Sequence, residues 1–141
     1  MSYENPWLYN NSPFESDHIC GNYGYVYCIT NTLTGKKYIG RKYFWSVTKQ
    51  KGKTRRVKKE SDWKNYYGSC KPLLEEMSKQ GKNLYKREIL SLHLTKGQVN
   101  YNEIKLQFKL DVLEALDENN NRMYYNDNIM SRYFAKKNPV P

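Results

Sequence analysis

Tyr27 and Tyr38 lie in two β-type runs on either side of a polar turn, Asn31–Gly35. Hairpin pairing of those runs would bring two phenols together. Lys36, Lys37, Arg41 and Lys42 stand beside them in the chain. A phenol has a pKa of about 10, so it serves as a base only where nearby cations lower that value. These four cations are expected to do so, and an arginine fork suits phosphate oxygens. Either tyrosine alone would read as a packing residue, because the chain holds 14 of them. The pairing beside Gly40 turns the reading towards phosphate chemistry.

The charge supports that direction. The 141 residues carry 24 Lys and Arg against 14 Asp and Glu, a net +10. Between His18 and Lys59 there are 11 bases and no acid, while the rest of the chain is nearly neutral. A positive field confined to one segment favours nucleic acid through counterion release. The run Lys49–Lys59 lacks the apolar face that an interfacial membrane helix needs. No apolar stretch approaches a membrane span, and no signal peptide is visible. Cys20, Cys28 and Cys70 are odd in number and lack CxxC spacing, so reduced thiols in a cytoplasmic setting are expected rather than disulfides or structural zinc.

The elements that must position the tyrosines follow from pattern. Residues 1–22 read as an irregular leader, broken by Pro6 and Pro13, with Trp7, Tyr9 and Phe14 tacking it down. Tyr23–Thr30 reads as a strand with Val26, Cys28 and Thr30 on one face and Tyr25, Tyr27 and Ile29 on the other. Lys36–Tyr43 is its hairpin partner. Residues 46–60 are a basic insert, either a loop or a protruding ribbon. A short helix is expected at 62–67, capped by Ser61 or Asp62, and another at Lys71–Gln80 with Gly81 closing it. Tyr85–Leu92 is a third strand. A capped helix then runs from Thr95 to about Leu113–Leu116, with Val99, Leu106, Leu110 and Leu113 on its apolar face. The expected fold is a small α/β (α+β) unit with a central antiparallel sheet of about three strands flanked by helices. Its domain would cover 23–130, followed by a tail at 131–141.

The string Tyr25-Val26-Tyr27, then Asn31, then Gly35-Lys36-Lys37-Tyr38-Ile39-Gly40 resembles the signature of the GIY-YIG nucleases. Tyr38-Ile39-Gly40 matches the second triplet outright. In the first triplet Tyr25 fills the glycine position, with Gly24 just before it. The resemblance runs from about Tyr23 to Asn126 and is nearest the small phage-encoded members related to homing endonucleases, which would place the protein in the host cytoplasm. It implies one divalent metal, Mg2+ or Mn2+, held by a single glutamate on the helix after the third strand, here Glu103. It implies that Tyr27 helps activate a water, that Tyr38 positions water or phosphate, and that an asparagine matched by Tyr125-Asn126 supports the site. It also implies an arginine on the helix after the hairpin. The segment 62–67 carries Lys64 but no arginine, so that role is open among Arg41, Lys42, Arg55 and Arg56, and Arg41 is taken into the candidate site.

Physical chemistry allows this set. One hard cation can be placed by one carboxylate, since Mg2+ keeps most of its waters. Glu103 lies near Ile104 and one turn from Val99, so it would face inward, where a carboxylate needs a reason to be. Blander roles suit other residues: His93 as a structural strand end, Glu60 and Asp62 as caps, Trp63 as core. Trp63, Tyr66 and Tyr67 could also stack on bases. Lys42, Lys49, Lys51, Lys53, Arg55, Arg56, Lys58 and Lys59 are the expected nucleic-acid contacts. The expected function is metal-dependent hydrolysis of DNA phosphodiesters. One active site per chain suits nicking, or double-strand cleavage by a homo-oligomer. The rival is a catalytically inactive DNA- or RNA-binding module on the same fold.

Overall fold

The computed structural model describes residues 3–49, 52 and 56–136. Its centre is β3 (Gly24–Asn31), an eight-residue strand buried on both faces. Tyr25, Tyr27 and Ile29 enter one hydrophobic cluster and Val26 and Cys28 enter another, as their alternation requires. On one side β3 pairs antiparallel with β4 (Lys37–Tyr43), and on the other with β7 (Tyr85–His93). The β7 ladder slips between Val26 and Tyr27, where two partners, Ile89 and Ser91, leave Leu90 unpaired as a bulge.

The sheet is larger than the three antiparallel strands expected. It has five, because β1 (Leu8–Tyr9) and β2 (Ser12–Pro13) extend it beyond β7 in the order β2-β1-β7-β3-β4. The β1–β7 pairing is parallel, at Leu8 and Glu88. The stretch expected as an irregular leader therefore carries a hairpin. Its two-residue turn is Asn10-Asn11, both at positive φ (51° and 66°), which asparagine tolerates and which matches strand twist. Pro13 stands on the outermost strand, where a missing N–H breaks no ladder. Trp7 drives the docking. It is fully buried, donates Nε1–H to the Trp63 carbonyl at 2.7 Å, and packs its ring 5.0 Å from Tyr27 and 5.1 Å from Tyr25.

Two helices cover the sheet. α1 (Lys71–Gln80) starts with proline in its first turn, ends at Gly81 with φ 94°, and buries Leu73 and Met77. α2 (Lys96–Lys109) is capped by the Thr95 hydroxyl, which accepts from Gln98 N. It ends earlier than expected, because Asp111 turns left-handed (φ 55°) and breaks the period. Within the helix, Phe108 faces out while Gln107 is buried. The expected helix at 62–67 is a single 3-10 turn, Trp63–Asn65. The basic insert is a ribbon, β5 (Trp45–Lys49) paired with β6 (Arg56–Glu60). A last small hairpin joins β8 (Asn128–Ile129) to β9 (Tyr133–Phe134). Among the described residues no helix is long and apolar enough to cross a membrane.

One buried cation ties the amino-terminal stretch to the rest. Arg87, on β7, is 1% exposed. Its guanidinium donates to the Asn5 carbonyl through Nε (3.1 Å) and Nη2 (2.5 Å), and to the Tyr66 carbonyl at 2.7 Å. The Tyr67 and Trp7 rings flank it, with centroids 4.1 and 4.7 Å away. Arg87 thus pins Asn5 and the Tyr66–Tyr67 loop to the same strand. Arg87→Leu would leave two carbonyls without their donor, at a cost of about 2–4 kcal/mol. Equilibrium urea unfolding should show that loss as a lower midpoint.

Candidate active site

The outer edge of β4 carries the site. Ile39 turns its backbone N–H and C=O to that edge, where no further strand pairs among the described residues. Tyr124 supplies the start of a pairing, with Lys37 N donating to Met123 O and Tyr125 N donating to Lys37 O. Asn126 then extends it with its side chain. Its Oδ1 accepts from Ile39 N at 3.0 Å and its Nδ2 donates to Ile39 O at 2.8 Å. Gln107 Nε2, from α2, donates to the same carbonyl at 3.0 Å. Asn126 and Gln107 are both buried, so these bonds replace water that the edge has lost.

Beside this edge lies a cavity of about 280 Å3 lined by Tyr38, Arg41, Ser69, Glu103, Asn126 and Asp127, among others. Tyr38 and Arg41 come from opposite faces of β4, so the cavity wraps the strand's edge. Glu103 stands one helical turn before Gln107, and the Gln107–Ile39 bond sets how α2 presents it. Arg41 Nε is 3.7 Å from Glu103 Oε1 and 2.6 Å from Asn100 Oδ1. Asn100 therefore orients the guanidinium, and the two terminal nitrogens make no hydrogen bond among the described residues. Burial raises the Glu103 carboxyl above the usual carboxylate range, and Arg41 only partly offsets it.

Tyr27 stands behind this cavity rather than on it. It is 1% exposed and its ring lies across Gly40, 6.2 Å from the Tyr38 ring. A Cβ on Gly40 would sit 2.5 Å from the Tyr27 hydroxyl, which explains glycine at that position. Gly68, at φ 91°, closes over both tyrosines. Ser69 favours the ionised form of the Tyr38 phenol, yet burial outweighs it and pushes the phenol up to about 12. Burial also pushes Tyr27 well above its ordinary value, with Tyr38 and Tyr66 adding to the effect. The expectation that Lys36, Lys37, Arg41 and Lys42 lower these phenols is overturned. Lys36 lies over the Tyr125 ring, Lys37 reaches Gly35 O, and Lys42 bonds Asp62 at 2.7 Å, while Glu103 faces Tyr38. Both phenols stay protonated at neutral pH.

Other expected residues fall elsewhere. Lys42 lies over Tyr66 and lines a separate groove with Lys59; Asp62 bonds Lys42 instead of capping the next turn. Lys58 covers the Trp45 ring at 4.5 Å. Lys49 and Arg56 pair across the ribbon. Lys51, Lys53 and Arg55 lie outside the described residues. His93 ends β7, its Nε2 2.8 Å from Ser91 Oγ, away from the cavity. Ser69, Gln107, Asn100 and Asp127 were not anticipated. Asn100, Glu103 and Gln107 form a polar stripe at helical spacing, and that interruption of an apolar face was the available signal.

A family model described as "Putative endonuclease segE, GIY-YIG domain" matches residues 7–129. The chain belongs to the GIY-YIG endonuclease family. The matched span begins at Trp7 and ends at Ile129, so it takes in the amino-terminal hairpin and its buried tryptophan. No curated protein and no solved structure matches the chain at a significant level. The GIY-YIG assignment implies a resident metal. Among the described residues no group of three or more His, Cys, Asp and Glu converges. A single desolvated carboxylate in a polar cavity, with Asp127 on its wall, still fits a cation that retains its waters.

Gly40→Ala forces its Cβ against the Tyr27 hydroxyl. Overpacking of this kind costs about 1–3 kcal/mol. Thermal unfolding should register that loss, and the Tyr27 ring resonances should shift in NMR spectra.

Proposed function

We propose that this chain is a metal-dependent endonuclease that hydrolyses DNA phosphodiesters in the cavity beside β4. The observation that carries the reading is the meeting of Tyr38, Arg41 and Glu103 on one small polar cavity, although they come from both faces of a strand and from a helix. Arg41 takes the position of the phosphate-binding cation, with its fork steadied by Asn100. Tyr38, protonated, donates a hydrogen bond that orients the attacking water or a phosphate oxygen. Tyr27 does not face the water; it backs the Tyr38 ring and fixes the strand crossing at Gly40. Glu103 would hold Mg2+ or Mn2+, and the cation would supply neutralisation of the charge that builds up on the phosphate and the leaving oxygen. Asn126 keeps the β4 edge in place and so positions Tyr38 and Arg41 without touching the reacting atoms.

A plasmid nicking assay with and without Mg2+ tests this. Wild type should relax supercoiled DNA only with metal. Glu103→Gln, Arg41→Ala and Tyr38→Phe should each slow it by about 10²–10³-fold, the scale of losing one charge-stabilising group. Equal, metal-independent traces for all four proteins would leave the inactive DNA- or RNA-binding module as the better account.

The raised Glu103 carboxyl gives a second test. For an acid whose folded value exceeds its unfolded one, the ionised form costs the fold. That cost is absent at pH below the unfolded value and complete above the folded one. Without metal, Glu103→Gln should melt at or above the wild-type temperature at pH 7, and the difference should vanish near pH 3. At fixed Mg2+, wild-type cleavage should fall as acid protonates Glu103, since proton and cation compete for the same carboxylate. A Gln variant less stable than wild type at pH 7 would contradict the assignment.

A further inference from the structure

Among the described residues the β5–β6 ribbon pairs with no strand of the five-stranded sheet. It is nonetheless anchored. Ser61 N donates to Phe44 O and Ser61 Oγ donates to Tyr43 O, both at 2.7 Å, and Phe44 N donates to Tyr23 O at 2.9 Å. Phe44 is fully buried, and Trp45 Nε1–H reaches Asn22 O at 3.3 Å. The ribbon is therefore a fixed continuation of β4, the strand that carries Tyr38 and Arg41. Between its root and the sheet runs an open groove of about 810 Å3 lined by Arg41, Lys42, Trp45, Ser46, Lys59 and Asp62, among others. Arg41 lines both this groove and the candidate cavity, so the two adjoin at that residue.

The ribbon's shape and residues fit one partner. Opposite residues share a face, so Val47 lies with Lys58 on one side and Ser46 with Lys59 on the other. Val47 is 43% exposed on the face it shares with Lys58, an apolar group turned to solvent. Five residues per strand extend about 17 Å, and the major groove of B-DNA, about 12 Å wide, admits a two-stranded ribbon. Lysines reach phosphates and guanine edges, and an apolar side chain can meet a thymine methyl. An A-form RNA duplex has a major groove too deep and narrow for such an arm. We infer that the ribbon is a duplex-DNA reading arm that enters the major groove next to the phosphate held at Arg41.

The placement of the phosphate rests on the proposed nuclease reading; the arm's docking is tested without cleavage. Binding is measured by fluorescence anisotropy in EDTA, using a labelled DNA duplex, its single strand and the equivalent RNA duplex. Guanine N7 methylation interference is then scored on the bound DNA. Wild type should favour the DNA duplex over the other two, and N7 methylation should block binding at discrete guanines. The exposed pair Lys58→Gln and Lys59→Gln, checked for an unchanged melting temperature, should bind the duplex about tenfold more weakly and flatten the slope of log affinity against log salt by about two. Val47→Ala should alter the preferred sequence rather than the salt slope. Equal binding by wild type and the double variant, no N7 interference, or equal affinity for the RNA duplex would each overturn the inference. Interference without any metal-dependent cleavage would overturn only the nuclease reading, and cleavage without interference only the reading arm.

Discussion

The site depends on how the backbone of Ile39 is held. β4 is an edge strand, and an edge strand exposes unpaired backbone groups that invite wrong partners. Here Asn126 presents a carboxamide that imitates a neighbouring strand, giving one acceptor and one donor to the same residue. Gln107 adds a second donor to the Ile39 carbonyl. Those bonds bring together three parts far apart in sequence: the hairpin, α2 and the segment after it. Tyr38 precedes Ile39, Gly40 and Arg41 follow it, and Glu103 lies one turn from Gln107. Each loses its relation to the others if that grip fails. Three buried side-chain amide hydrogen bonds on one residue also form a rigid foundation, which a precisely positioned site requires.

The other side of the hairpin is supported by aromatic mass. Trp7, Tyr25, Tyr27, Phe44 and Trp63 pack ring against ring in one cluster. Aromatic pairs add modestly to the area they bury, so a domain of low apolar content can still form a firm core. The consequence for chemistry is direct. A phenol within such a cluster is desolvated, and desolvation keeps it neutral. Tyr27 and Tyr38 are therefore neutral phenols on fixed rings, not phenolates.

Much of this was legible in the sequence. The two faces of Tyr23–Thr30, the hairpin, the helix at Lys71–Gln80 and the strand from Tyr85 follow from periodicity and end signals, because local and tertiary preferences agree there. The second triplet Tyr38-Ile39-Gly40 led to the family. The misses have physical causes. Residues 1–22 contain prolines and asparagines that suppress strand propensity, yet burial of Trp7 and Phe14 outweighs it. The period of α2 carried on past Lys109 on paper, but Asp111 adopts a left-handed conformation. Arg87 reads as an ordinary strand charge, and nothing local reveals that its partners are the carbonyls of Asn5 and Tyr66. The direction of the phenol shifts could not be read from adjacent cations, since burial of the rings sets it and Lys36 and Lys42 are engaged elsewhere.

The charge excess of the segment 18–59 now has a geometry, with Arg41 at the cavity, Lys42 and Lys59 on the adjoining groove, and Lys58 on the ribbon. The most direct test is a crystal structure of the chain with Ca2+ and a DNA duplex made cleavage-resistant by phosphorothioate substitution. The account predicts one backbone phosphate in the cavity, contacted by Arg41 and the Tyr38 hydroxyl, with the cation on Glu103. A duplex bound with no phosphate in that cavity, or a cation held by other residues, would contradict it.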